Sequence, residues 1–304
     1  AEQGGKRLDQ ILAELFPEYS RARLQNWIRA GQITLNHKAC LPKIKVFGGE
    51  QVAFAVEFEN QVANRPENIQ LPVVYRDEDI IVINKPPGMV VHPAAGHAQH
   101  TLLNGLLFHF PELAHVPRAG IINRLDKDTS GLMVVAVNLS SHNELIKQMQ
   151  AREITRNYLA LVHGELISGG TIDKPMGRHA TDRKKMAVRF EGKEAVTHFR
   201  IEEKFNGFTL LKVTLGTGRT HQIRVHLSHA NYPIVGDPVY GGRNLLPKAC
   251  PIALQQRLGA FKRQALHAWQ LQLQHPRTGE PRSWQQNLPP DMVHLVDYLR
   301  QHCL

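Results

Sequence analysis

Apolar residues recur along this chain with two different periods. Leu8, Ile11, Leu12 and Leu15 fall at helical spacing, and Pro17 closes that stripe. Ser20 is placed to cap a second helix, with Leu24, Trp27 and Ile28 inward and Gly31 just past its end. Ile33–Leu35 and Val52–Phe54 then predict short strands, with turns at Asn36-His37 and Gly48-Gly49. Residues 58–72 are polar, hold two prolines and read as a linker. From Val73 onward the runs are strand-sized: 80–83, 132–137, 154–162, 195–201 and 208–215. Helices are predicted near 142–152, with Leu145, Ile146 and Met149 inward, and near 220–228. A last one follows Pro289-Pro290, capped by Asp291, with Met292, Leu295, Val296 and Leu299 on its inner face. Strands outnumber helices and lack regular helical crossovers. The pattern therefore predicts an α+β fold: a small α-β domain over 1–57, a linker over 58–72, and a larger domain over 73–304. The larger domain is expected to rest on a largely antiparallel mixed sheet flanked by helices and loops.

Composition narrows the class. A length of 304 residues suits about two domains. With 42% apolar and 21% charged residues, a long disordered acidic tail is excluded. Lys plus Arg outnumber Asp plus Glu by 37 to 27, a net charge of +10 that points to a polyanionic partner. The excess is uneven. Between Ser20 and Gly49 stand Arg21, Arg23, Arg29, Lys38, Lys43 and Lys45 with no acid among them. Residues 174–200 carry eight basic against three acidic side chains, and Arg183, Lys184 and Lys185 are the strongest contact candidates there. Residues 237–279 hold six basic residues and no acid between those ends. Cys40, Cys250 and Cys303 form no C-x-x-C pair and no disulfide framework, so free thiols in a reducing cytoplasm are expected. The apolar runs are too short to span a bilayer. The opening Ala-Glu-Gln-Gly-Gly-Lys-Arg lacks a signal-peptide core and no initiating Met is present, which raises the expectation of a native start farther upstream.

The stretch most suggestive of chemistry is a polar loop between two apolar runs, Asn123-Arg124-Leu125-Asp126-Lys127-Asp128-Thr129-Ser130-Gly131. Rigidly held polar loops carry function, and they also form locally capped charged turns. Tyr158 interrupts an otherwise aliphatic strand, as a core residue or an active one. In Gly218-Arg219-Thr220-His221-Gln222-Ile223-Arg224, a Gly turn runs into a helix whose His221, Arg224 and Ser228 share a face. Arg224 there is either surface-exposed or paired in a fork with a carboxylate. Gly236-Asp237-Pro238 with Tyr240-Gly241-Gly242 reads as an architectural turn cluster, and Asp77-Glu78-Asp79 as a solvated turn. Lys85-Pro86-Pro87-Gly88 reads as a turn after the first strand of the larger domain.

The N-terminal segment resembles the S4 RNA-binding domain, through Arg7-Leu8-Asp9, Ser20-Arg21, Ile28-x-x-Gly31, Leu35-Asn36 and Gly48-Gly49-Glu50-x-Val52. The remainder resembles the RluA family of pseudouridine synthases, through residues 124–131, Tyr158 after Ile154-Thr155-Arg156, and residues 218–224. Lys85-Pro86-x-Gly88-x-x-Val91-His92-Pro93 and Gly236-Asp237-x-x-Tyr240-Gly241 match as well. The resemblance implies isomerisation of uridine to pseudouridine in large-subunit ribosomal RNA or its assembly intermediate. It also implies a monomeric cytoplasmic enzyme that needs no cofactor, no metal and no membrane. By the same resemblance Asp126 is the catalytic carboxylate, Arg224 its ion-pair partner and Tyr158 the residue that stacks on the uracil. Arg124 fills the space left by the flipped base, and Arg219 and His221 contact RNA. One position departs from the family pattern: Asn123 stands where a His is usual, which brings the support of the loop into question. Two other readings start from the residues. Asn123 suits an S4-containing binding factor with an inactive second domain, which an activity assay separates. The histidine groups His92, His97, His100 and His221, His226, His229 suit a metal enzyme, although no H-E-x-x-H helix is present and metal analysis decides the matter.

Overall fold

The first apolar stripe folds as a helix, with Leu8 and Leu12 buried and Leu15 left exposed at its end. In the computed structural model the chain divides into two compact units, Ala1–Ala63 and Asn64–Leu304. The structure describes residues 5–303 except 17, 18, 20, 56–64, 94–98, 183, 184, 243–245 and 247–249, and not the side chains of 22 and 23. The first unit contains β1 (Lys6–Arg7), α1 (Leu8–Leu15), α2 (Arg21–Arg29), β2 (Ile33–Leu35), β3 (Lys38–Ala39), β4 (Lys45–Val46) and β5 (Val52–Phe54). β1 pairs with β4, and β2 lies between β3 and β5, all antiparallel. Leu8, Leu12, Leu24, Ile28, Ile33, Leu35 and Val46 form its core. The β2–β3 turn places Asn36 and His37 at φ of 50° and 61°, a left-handed pair that Asn tolerates better than most residues. The expected cap at Ser20 lies outside the described residues.

The second unit begins with β6 (Val73–Arg76), β7 (Ile80–Lys85), α3 (Leu102–His109), β8 (Ser130–Ala136), α4 (Leu139–Ala151) and β9 (Thr155–His163). It continues through β10 (Gly170–Asp173), β11 (Met176–Arg178), β12 (Met186–Val188), β13 (Val196–Phe205) and β14 (Phe208–Leu215). It ends with α5 (Gln222–His229), α6 (Ile252–Ala260), β15 (Leu266–Gln274), β16 (Pro281–Gln285) and α7 (Pro290–His302). The main sheet runs β10-β13-β14-β9-β15-β8-β7-β6, with β16 added to β15. Every pairing in it is antiparallel except that of β15 with β8, which makes the sheet mixed.

Both faces of the β7–β8 region are covered, which explains why these strands read as unbroken apolar runs. Ile81, Ile83, Met133 and Val135 face a large core that includes Leu102, Leu106, Leu295, Val296 and Leu299. Ile80, Val82, Leu132, Val134 and Ala136 alternate to the other side and meet Leu145 of α4. All seven residues of β8 are buried. Gly131 opens that strand because β15 passes too close for any side chain: a Cβ there would sit 2.3 Å from the Ala268 carbonyl oxygen, and its φ is 117°.

Several local expectations shift. The helix expected at 142–152 starts earlier, because the Asn138 side chain accepts from Ser141 N and caps it. The helix expected from 220 begins at Gln222, since His221 turns left-handed at φ 57°. Asp291 does not cap α7. Pro289 holds that position, and the Asp291 carboxylate takes the fork of Arg263 at 2.6 and 2.8 Å. Lys85 belongs to the end of β7 rather than to a turn and is completely buried. Asp77-Glu78-Asp79 is not a solvated turn either. Asp79 is buried, accepts from Ser141 Oγ and pairs with Arg277, and Asp77 accepts from Tyr75 and His275. Of the expected linker, residues 65 and 67 are tied to α3, where Asn104 Nδ2 donates to Arg65 O and Glu67 N donates to Asn104 O.

Candidate active site

The polar loop of residues 122–129 enters β8 through a set of buried side chains that grip it one residue at a time. Lys85 Nζ donates to Lys127 O at 2.9 Å, and also to Pro86 O and Met89 O. Burial pushes this lysine down to about 7 against the pull of Asp128 and Asp126, while its three acceptors match the three N–H groups of an ammonium. Arg263 Nη1 donates to Asp128 O at 3.2 Å, and Gln264 Nε2 to Thr129 Oγ1 at 3.0 Å. His267 Nδ1 lies 3.0 Å from Ser130 Oγ. Burial lowers His267 to about 4, so the ring is neutral near pH 7. Its Nε2 donates to Gln286 O and its Nδ1 accepts from Ser130.

The loop so held carries Asp126 into a cavity of about 190 Å3. Arg224 Nη1 donates to Asp126 Oδ2 at 2.9 Å. The other edge of the same guanidinium is taken by Asp237, with Nε to Oδ2 at 2.7 Å and Nη2 to Oδ1 at 2.9 Å. Asp237 Oδ1 further accepts from the backbone of Val239 and Tyr240. Burial acts to lower the Arg224 guanidinium, but the hydrogen bonds and charge of Asp237, joined by Asp126, raise it instead. Burial likewise acts to raise the Asp237 carboxyl, and Arg224 reverses that and holds it below the usual range. Arg224 is thus oriented by one carboxylate and aims another.

The remaining walls of the cavity include Tyr158, Arg124, Arg156, His221 and Gln222. Tyr158 is buried, and that burial pushes its hydroxyl up, with Arg156 drawing it back down. His221 Nε2 stands 3.8 Å from Asp126 Oδ1, and its Nδ1 is 2.9 Å from Tyr240 Oη. Burial lowers the imidazole, with Asp126 pulling the other way. Residues 126, 158 and 224, separated by up to 98 positions, therefore meet in one place.

The chain matches the RNA pseudouridylate synthase family over residues 79–229 and the S4 domain over residues 6–52. Ribosomal large subunit pseudouridine synthase D of Pseudomonas aeruginosa is 54% identical over 300 residues, spanning 99% of this chain and 94% of that protein. The chain belongs to the RNA pseudouridylate synthase family. The protein of the same name from Escherichia coli strain K12 is 52% identical over 299 residues, covering 98% of this chain and 92% of that one. Among solved structures, human RNA pseudouridylate synthase domain containing 4 superposes with a TM-score of 0.60 at 27% identity, over 75% of this chain and 93% of that chain.

In this pseudouridine synthase, Arg124 is exposed at the cavity and makes no hydrogen bond or ion pair to a described residue. Asn123 Oδ1 accepts a long bond from Val134 N, 3.4 Å, and no hydrogen bond joins it to Asp126. Arg219 is exposed and donates through Nε to Glu194 O. In the first unit, Arg21 is partly spent inside the fold. It joins Arg7 and Gln25 on the buried carboxylate of Asp9, whose burial is outweighed by those bonds so that it falls to about 2. Arg29 is exposed and donates to Asn26, and Lys38, Lys43 and Lys45 are exposed. The Arg23 side chain, Arg183 and Lys184 lie outside the described residues. Lys185 stands 3.8 Å from Asp182.

Asp237, Lys85, Arg263, Gln264 and His267 were not among the expected site residues. Asp237 and Lys85 did sit in quoted motifs, but a Gly-rich turn and a Lys-Pro turn carry no sign of what they grip. For Arg263, Gln264 and His267 the sequence holds no signal, because their contacts lie 135 to 137 positions away.

Proposed function

We propose that this enzyme isomerises uridine to pseudouridine in large-subunit ribosomal RNA, with Asp126 as the carboxylate that acts at the ribose. The reaction breaks the C1′–N1 bond, turns the uracil and rejoins it through C5, which gives up its proton while N1 gains one. A stacked base offers no access to C1′, so the nucleotide is flipped into the cavity. Tyr158 supports the uracil, and Arg124 occupies the vacated place in the stack. The exposed cations of the S4 unit, the basic run Arg183-Lys184-Lys185, and Arg219 and His221 at the cavity take RNA phosphates.

The observation that carries this reading is the Asp237–Arg224–Asp126 chain. A carboxylate fixed at the wall of a cavity by an arginine that is itself fixed is preorganised for one geometry. The names of the relatives support the choice of RNA. The test is a carbodiimide map of pseudouridine in a large-subunit RNA transcript treated with wild-type protein or with Asp126→Asn. Wild type is expected to give product and the variant none, with RNA binding and folding retained. Product from the variant at near wild-type yield overturns the assignment of Asp126. A wild-type protein that modifies another RNA and leaves this one untouched overturns the substrate.

A further inference from the structure

Of the four arginines lining the cavity, Arg224 and Arg219 are engaged, and Arg124 is exposed to solvent. Arg224 donates from each of its three nitrogens to Asp126 or Asp237, and Arg219 gives Nε to a backbone carbonyl. Arg156 differs. It sits on β9 two residues before Tyr158, it lines the same cavity, and it makes no hydrogen bond or ion pair to any described residue. Its Nε is buried without an acceptor. The guanidinium rests against Gly218, where an added Cβ would lie 2.7 Å from Nη1 and 3.5 Å from Nη2. The lack of a side chain at Gly218 therefore gives the group room to stand beside the cavity.

A half-buried guanidinium without a counter-ion is an incomplete site. Asp126 does not complete it: its ion pair is with Arg224, and none joins it to Arg156. The partner must arrive with the substrate. The formal negative charge of an RNA strand lies on its phosphates, and a planar fork of donors suits two phosphate oxygens. A neutral uracil carbonyl would leave the charge uncompensated.

We infer that Arg156 binds a phosphate of the flipped nucleotide, seating the strand while Tyr158 takes the base and Asp126 the ribose. This rests on the proposed isomerisation. A phosphate clamp at this point would fix the backbone on the side of the cavity that Gly218 leaves open. It would also account for an arginine placed next to a buried tyrosine with nothing to pair with.

The test uses the full-length protein and a large-subunit RNA transcript carrying uridine tritiated at C5, with release of tritium as the readout. Wild type, Arg156→Ala, Arg156→Lys and Gly218→Ala are compared across a range of salt concentrations. Arg156→Ala is expected to lower kcat/KM about tenfold to a hundredfold, chiefly through KM, with Arg156→Lys in between. Gly218→Ala moves the guanidinium without removing it and is expected to cost less than Arg156→Ala. The log–log slope of kcat/KM against salt is expected to fall by about one unit in Arg156→Ala, because one phosphate contact is lost. A structural role would leave that slope unchanged and would instead lower the melting temperature. Activity of Arg156→Ala within about threefold of wild type overturns the inference, as does an unchanged salt slope. Absence of tritium release from wild type overturns the isomerisation instead, so the two failures are distinguishable.

Discussion

Arg224 lies between two carboxylates with different exposure. Asp237 has a fully buried side chain, whereas that of Asp126 is 17% exposed and faces the cavity. One carboxylate balances and fixes the arginine, and the other is left for chemistry. Replacing Asp237 by Asn keeps the shape but leaves the Arg224 charge half compensated. The expected result is a loss of about 3 kcal/mol in stability, read by urea unfolding. A fall of about a hundredfold in kcat is expected with it, because Asp126 is no longer held at its angle. At this scale the sequence was informative where chemistry is written in residue type. Asp126, Tyr158 and Arg224 were named from their motifs, and the structure brings them together. Asp237 was not legible because an Asp between a Gly and a Pro in a Gly-rich turn looks like any turn-capping Asp.

The element that matters most is the entry into β8. Lys85, Arg263, Gln264 and His267 hold four successive residues, 127 to 130, so the loop is set by side chains from the end of β7 and from the segment that leads into β15 and its first residues. His267 gives this clamp a pH signature. Its folded value is about 4 against 6.5 for a free imidazole, so on acidification the unfolded chain takes up the proton first. The contribution to stability is complete above 6.5 and is lost as pH falls toward 4, about 3 kcal/mol in all. Thermal melts from pH 7 to 4 are expected to show this decline in wild type and a shallower one in His267→Gln. Elements with a clean period were legible, as with Leu8 to Leu15 or Met292 to Leu299. α3 was not, because Leu102, Leu103, Asn104, Gly105 and Leu106 are buried around the helix and leave no polar face to mark its period. Strand pairing beyond neighbours, such as the parallel contact of β15 with β8, has no local signal at all.

At the scale of the whole chain, the net charge of +10 divides between roles. Within the first unit, Lys38, Lys43 and Lys45 are exposed and free for phosphates, while Arg21 and Arg7 serve the buried Asp9. Replacing those three lysines together by Glu is expected to leave the melting temperature unchanged. RNA affinity is expected to drop, and the salt dependence of binding to flatten by about two units, as measured by filter binding at several ionic strengths. The chain divides between residues 63 and 64, inside the polar stretch read as a linker, and the α+β class was legible in the succession of strands. What lay beyond reading was which basic residues are already occupied, since that depends on where a single buried acid comes to rest.

β8 is shared by two cores, with alternate side chains committed to opposite sides of the sheet. A strand in that position cannot slide or tilt without opening both, and it begins four residues after Asp126. If the nucleotide is flipped as proposed, the shape of the cavity wall is set in advance by both cores, and the work of deformation falls on the RNA. Discrimination among uridines then becomes a question about the nucleic acid: how little it costs each one to leave its stack and take the shape already waiting for it.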